Sequence, residues 1–252
     1  MAVVYAPKRT KNLFDPSKPF KLSRSKVELF MRCKRCFYQD RRLGITPPPG
    51  FPFTLNSAVD ALLKREFDFY RSKQKPHPLM KKYGIKAVPY AHPKLETWRD
   101  SLHAGVSYHH PDTNLTLTGG VDDVWVDNDG WLNVVDYKAT SKRGEVTLDQ
   151  DWQVGYKRQM EVYQWLFRRN DFKVADKGYF VYCNGDSERS EFASTLHFAM
   201  TIIPHIGNDI WVEDVLFDIR ACLESDALPA PAVDCHLCGY YSALSNSLAE
   251  FK

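Results

Sequence analysis

The chain has 252 residues, 44% of them apolar and 26% charged, with 34 lysines and arginines against 31 acidic residues and a formal net charge of +3. That length suits one or two domains of ~150 residues with a real buried core, and the balance excludes a disordered chain. No apolar run approaches the ~18 residues of a membrane span, and the opening Met1-Ala-Val-Val-Tyr-Ala-Pro-Lys-Arg is too short in apolar residues for a secretory signal. The expectation is an intracellular protein, cytoplasmic or nucleoid-associated, with no membrane partner. Its six cysteines are then thiols or metal ligands rather than disulfides.

Residues up to about Phe20 are basic and contain proline, and read as an arm. Ser25-Lys-Val-Glu28 fits a capping box opening a helix that carries Val27, Phe30, Met31, Phe37 and Tyr38 and stops at Gly44. After the turn Pro47-Pro-Pro-Gly50, a second helix carries Leu55, Val59, Leu62, Leu63, Phe67 and Tyr70 at helical spacing. The proline- and lysine-rich stretch 72–93 reads as a loop. From about 104 the period shortens: 115–126 and 131–137 are strand-like, joined by the turn Asp127-Asn-Asp-Gly130. A helix over 149–170 bears Trp152, Tyr156, Gln159, Tyr163 and Phe167 on one stripe. Strands near 178–183 and 192–203, a helix near 208–225 and a proline-rich C-terminal segment follow.

This order predicts an α/β or α+β fold with a central mixed sheet flanked by helices. It is expected as a single domain over 1–252, with a helical N-terminal part, a catalytic core at 104–203 and a C-terminal cysteine segment. The most informative spacing lies in 119–138. A turn near Asn128–Asp129 sets Asp122 roughly opposite Asp136, at a Cβ separation of ~4.5–5.5 Å, where like charges repel. A divalent cation resolves that repulsion, and Mg²⁺ is commonly held by one or two carboxylates. Lys138 falls on the same strand face as Asp136 and could orient or deprotonate a water or offset phosphate charge. A plain surface hairpin is the competing explanation.

Gly119-Gly-Val-Asp122, Asp136-Tyr-Lys138 and Gln159-Met-Glu-Val-Tyr163, in that order, resemble the PD-(D/E)XK nuclease superfamily. The nearest branch is the RecB-like one, with its G-x-x-D, (D/E)-x-K and Q-x-x-x-Y motifs. That branch includes nuclease domains of bacterial recombination helicases and the iron–sulfur exonucleases of CRISPR adaptation. The resemblance, spanning about 22–241, implies a restriction-endonuclease-like core. It makes Asp122 and Asp136 ligands of Mg²⁺ or Mn²⁺, Lys138 the catalytic lysine, and Gln159 and Tyr163 contacts to DNA and the active site. The Tyr137 carbonyl would assist as a metal ligand. Where the branch has a histidine in G-x-x-x-H, this chain has Asn56-Ser-Ala-Val-Asp60, so Asp60 is a further candidate ligand, with oxygen as its donor.

Cys33-Lys-Arg-Cys36 and Cys235-His-Leu-Cys238 are two C-x-x-C pairs, the Cys₄ set of Zn²⁺ or an iron–sulfur centre. They would clasp 22–45 to 226–241. Haem attachment and a zinc deaminase are excluded, since neither C-x-x-C-H nor H-x-E with P-C-x-x-C is present. The resembled branch implies a [4Fe–4S] cluster on one N-terminal and three C-terminal cysteines. Cys33, Cys235 and Cys238 match three of them. Tyr240-Tyr-Ser-Ala-Leu-Ser replaces the expected fourth, leaving Cys36 to substitute and zinc as the alternative. Cys183 and Cys222 read as packing residues.

Arg32, Lys34, Arg35, Arg41 and Arg42 crowd the first helix, a density suited to phosphate contacts. The combined expectation is a metal-dependent deoxyribonuclease acting on single strands or duplex ends, with protein partners in a repair, recombination or CRISPR-adaptation complex. The rivals are a catalytically impaired DNA-binding adaptor with a structural Cys₄ site and, third, a redox protein built on the two cysteine pairs.

Overall fold

A computed structural model of the chain describes residues 13–48 and 50–250. Its contacts gather into two compact units. One comprises the residues up to Gly50, His109–Leu117, and those from Trp211 onward; the other comprises Phe51–Tyr108 and Thr118–Ile210.

In the first unit, strand β1 (Phe20–Ser23) leads into helices α1 (Arg24–Arg32) and α2 (Lys34–Arg41). Sequence reading predicts one helix opened by a Ser25–Glu28 box. The helix instead starts at Arg24 without a side-chain cap, and Cys33, extended at φ −161°, breaks it in two. The break lets Phe30 and Phe37 meet edge to face at 5.2 Å, with both rings buried. Strand β1 belongs to a three-stranded sheet of order β1-β4-β3 with β3 (Val106–His110) and β4 (Leu115–Gly119), of which only His109–Leu117 falls in this unit. Helix α7 (Trp211–Glu224) packs Val212, Leu216, Ile219 and Leu223 inward. The proline-rich C-terminal segment ends in helix α8 (His236–Glu250), which buries no residue.

The second unit is a mixed sheet with helices on both faces. Helix α3 (Thr54–Ser72) forms as its periodicity predicts, burying Val59, Leu63 and Phe67 and leaving Leu55 and Leu62 exposed. The stretch expected as a loop holds α4 (Pro78–Lys82) and strand β2 (Ala87–Pro89), followed by α5 (Leu95–Arg99). Pro78 opens α4 at a position where its missing N–H costs nothing. Strands β5 (Asp123–Asp127), β6 (Leu132–Thr140), β7 (Lys177–Gly185) and β8 (Phe198–Ile206) complete a sheet of order β2-β5-β6-β7-β8. Only β6 and β7 run parallel, joined through α6 (Val154–Arg168). The strand expected over 115–126 is split, with β4 and β5 in different sheets and 120–122 as the bend between them.

Alternation along β6 and β7 sorts their side chains to opposite faces. Val135, Tyr137, Tyr179, Val181 and Cys183 join α3 in one apolar core. Asp136 and Lys138 turn to the other face, that of α6.

Candidate active site

The β5–β6 ladder ends with Asp123 paired to Val135, so Asp122 lies one residue beyond the paired strand, beside the Asp136–Tyr137 end of β6. Two glycines bring Asp122 there. A Cβ on Gly120 would lie 2.4 Å from the Ser101 Cβ and 2.7 Å from its Cα, and the Gly119 carbonyl packs on Gly105. Only a chain without side chains passes this point. Asp122 then turns back so that its Oδ2 accepts the Tyr137 N–H at 2.9 Å.

Asp136 is fully buried and lies among polar partners. Lys138 forms an ion pair with it, and Gln159 Nε2 donates to its Oδ1 at 2.9 Å. The same Gln159 amide lies 3.1 Å from the Tyr163 hydroxyl, and its Oε1 accepts from Lys138 at 3.4 Å. Asp136, Lys138, Gln159 and Tyr163 are thus brought together. Helical spacing puts Gln159 and Tyr163 one turn apart, and strand alternation puts Asp136 and Lys138 beneath them.

Asp60 sits at the edge of this group. It pairs with Lys64 one turn along α3, at 2.8 Å, and Lys64 also lies 3.5 Å from Asp122. A lysine therefore intervenes between the two carboxylates. Among the described residues, Asp60, Asp122 and Asp136 do not gather into one ligand set as the cysteines do. Asp123, adjacent to Asp122, points the other way. It is fully buried between Arg71 and Arg99 and accepts from the Tyr137 hydroxyl at 2.7 Å. The two aspartates are neighbours in sequence with separate tasks.

Burial raises the Asp122 carboxyl above its ordinary range despite the attraction of Lys64 and Lys138. Burial opposes the charge on Lys138, yet Asp136 and Asp122 outweigh it and raise that pKa, so the ammonium stays protonated at neutral pH. Its Nζ also stands 4.4 Å from the centre of the Tyr156 ring. Trp152 meets Tyr156 edge to face at 5.5 Å and is 65% exposed. Trp152 therefore lies outside the buried stripe expected for it, in a short 3-10 turn before α6. Sequence reading missed Lys64, whose only signal is its place four residues after Asp60. It also missed Tyr182, which the parallel ladder sets beside Lys138.

In the first unit, Cys33, Cys36, Cys235 and Cys238 bring their sulfurs within 4.8 Å of one another. Burial would raise the Cys33 thiol, but donation from the Ala232 and Cys36 N–H groups outweighs it and brings it down to about 7. Burial pushes Cys238 up to about 11. The nearby basic residues have separate fates. Arg41 is buried and held by Asp40 at 2.9 Å, and Arg35 donates to the Pro229 carbonyl at 2.8 Å. Lys34 pairs with Asp218 and Arg42 with Asp226, at 3.2 and 3.7 Å. Arg32 is exposed.

No helix among the described residues is long and apolar enough to cross a membrane. A search of curated proteins returns no match. A family model described as the PD-(D/E)XK nuclease superfamily matches residues 21–243. That superfamily consists largely of nucleases, typically dependent on Mg²⁺ or Mn²⁺. The match takes in the acidic hairpin, helix α6 and both cysteine pairs, and on it the chain belongs to the PD-(D/E)XK nuclease superfamily.

Proposed function

We propose that this chain is a Mg²⁺- or Mn²⁺-dependent deoxyribonuclease of the RecB-like kind, acting on single strands or DNA ends. The observation that carries the reading is the gathering of Lys138 and Gln159 on the buried Asp136, with Asp122 held beside them on the Tyr137 N–H. The donors fit a hard cation: two carboxylates and the Tyr137 carbonyl are all oxygen. The raised Asp122 carboxyl fits as well, since burial destabilises its anion despite Lys64 and Lys138, and a cation would favour that anion. Bound there, a divalent cation supplies Lewis-acid chemistry toward a phosphodiester.

The chain's own residues do the rest. Lys138, held protonated, donates hydrogen bonds and offsets charge on a phosphate rather than taking a proton. Gln159 fixes the Asp136 carboxylate and the Lys138 ammonium together. Tyr163 holds the Gln159 amide in place. The exposed Trp152 ring, linked through Tyr156 to Lys138, offers a stacking surface for an unpaired base, the usual device of single-strand binding. Arg32 and Lys34 remain the outward candidates for phosphate contact, whereas Arg41 is committed to Asp40. DNA-processing complexes of repair, recombination or CRISPR adaptation are the setting in which such an activity belongs.

A second reading draws on one specific observation. Lys64 pairs with Asp60 and Asp122, and Lys138 with Asp136, so every one of these carboxylates already has a cationic partner, as would suit a DNA-binding adaptor needing no metal ion. Two measurements separate the readings: calorimetry with Mn²⁺, and cleavage of end-labelled linear and circular DNA, single- and double-stranded, with Mg²⁺, Mn²⁺ or EDTA. Nuclease activity abolished by EDTA is expected. DNA binding without Mn²⁺ uptake or cleavage would establish the adaptor.

A further inference from the structure

The resemblance to iron–sulfur exonucleases implies a [4Fe–4S] cluster on the cysteines, and the sulfur positions test that expectation directly. In such a cluster each thiolate binds a different iron. The four sulfurs then lie outside a cube of metal and sulfide, roughly 6 Å apart when each metal–sulfur bond is ~2.3 Å. Around a single tetrahedral ion with the same bond length, they lie only about 3.8 Å apart.

The observed distances follow the second pattern. Cys33 Sγ is 3.8 Å from Cys238 Sγ, and Cys36 Sγ is 3.5 Å from Cys235 Sγ and 3.6 Å from Cys238 Sγ. All three link one C-x-x-C pair to the other, and all four sulfurs lie within 4.8 Å of one another. A two-iron cluster is excluded by the same distances, since it would hold the two pairs apart on separate irons. Sulfurs this close together suit a single ion at their centre.

We propose that Cys33, Cys36, Cys235 and Cys238 hold a single zinc ion in a tetrahedral thiolate site, in place of the cluster that the resemblance implies. Four soft thiolates in tetrahedral array suit Zn²⁺. The Ala232 N–H, 3.5 Å from Cys33 Sγ, would donate to a bound thiolate and fix its direction. The missing cysteine in Tyr240-Tyr-Ser-Ala-Leu-Ser then has a physical counterpart. Cys36 does not stand in for it in a cluster but completes a different site.

The structure also shows what the ion would hold. Helix α8 buries no residue, so apolar packing does little to fix it. Cys235 lies just before its first residue and Cys238 in its first turn, so metal binding there is folding free energy for the segment. This inference stands apart from the reading of the acidic hairpin, and either can fail alone.

The test is metal and sulfide analysis of full-length protein purified without air from cells supplied with both iron and zinc. About one zinc per chain, no acid-labile sulfide and no band near ~400 nm are expected. Exchange with Co²⁺ should give the intense visible bands of a tetrahedral thiolate site. Stripping the zinc should open 226–250 to protease while Phe51–Ile210 resists, a readout that needs no cysteine variant to fold. Iron with labile sulfide, iron in any form in place of zinc, or protein without metal would overturn the proposal.

Discussion

Asp122 and Asp123 show how far two adjacent carboxylates can diverge. Asp123, together with Asp68, pairs with Arg71 and Arg99 in a network that also takes the Tyr137 hydroxyl. Removing one partner of such a network strands the others, so Asp123→Ala should lower stability by about 3–5 kcal/mol in urea unfolding; a loss below ~1 kcal/mol would contradict the network's role. Asp122 behaves in the opposite way. Its carboxyl is raised by burial, so the folded state holds the proton more tightly than the unfolded chain. Ionised Asp122 therefore costs stability above the raised value, and the cost fades as pH falls toward the ordinary carboxylate range. Asp122→Asn keeps an acceptor for the Tyr137 N–H and loses the charge. In EDTA at mildly alkaline pH it should melt at or above the wild type, with the difference closing on acidification, while cleavage falls at least ~100-fold. A lower Tm across the whole pH range would refute this reading of Asp122. Trp152 is argued from exposure: Trp152→Ala should raise KM for single-stranded DNA several-fold, reflecting ~1–3 kcal/mol per stacked base, with kcat little changed. An unchanged KM would remove it from the binding surface.

At the scale of elements, the hairpin register was legible because its turn residues and alternation leave one pairing, and the ladder runs from Val126 on Leu132 to Asp123 on Val135. Helices α3 and α6 were legible from their 3.6-residue period. Other features were hidden for stated reasons. The break at Cys33 has no glycine or proline to announce it; an extended cysteine between two helices does the work. Helix α4 and strand β2 lie among prolines that read as loop, one proline serving as helix opener and one ending the strand. Helix α8 carries Leu237, Tyr241, Leu244 and Leu248 at helical spacing, but this stripe follows a proline-rich stretch and is left unburied, so sequence reading missed it. The role of Gly120 emerges only from the close approach of Ser101. Gly120→Ala should force that contact apart, cost about 1–3 kcal/mol by overpacking, and depress cleavage by displacing Asp122. Wild-type activity and stability in that variant would show that the bend yields freely.

For the molecule as a whole, chemistry and scaffold are built from different materials. The second unit buries a cluster of oxygen and nitrogen groups beside a mixed sheet, and the first gathers four sulfurs from chain positions about two hundred residues apart. The meeting of Asp136, Lys138, Gln159 and Tyr163 was legible in the sequence because short motifs carry it, whereas Lys64 between Asp60 and Asp122 was not. The sulfur site was legible in its ligands but not in its nuclearity, since spacing along the chain does not give the distance between sulfurs. The central claim, that Asp136 and Lys138 serve metal-dependent phosphodiester cleavage, meets its most direct test in one assay. Asp136→Ala and Lys138→Ala proteins, matched to the wild type in fold by circular dichroism and in single-stranded DNA binding, are incubated with end-labelled DNA and Mn²⁺. The account predicts that both lose cleavage by at least ~100-fold, in line with removal of a metal ligand or a charge-stabilising group. Cleavage at the wild-type rate by either variant would contradict it.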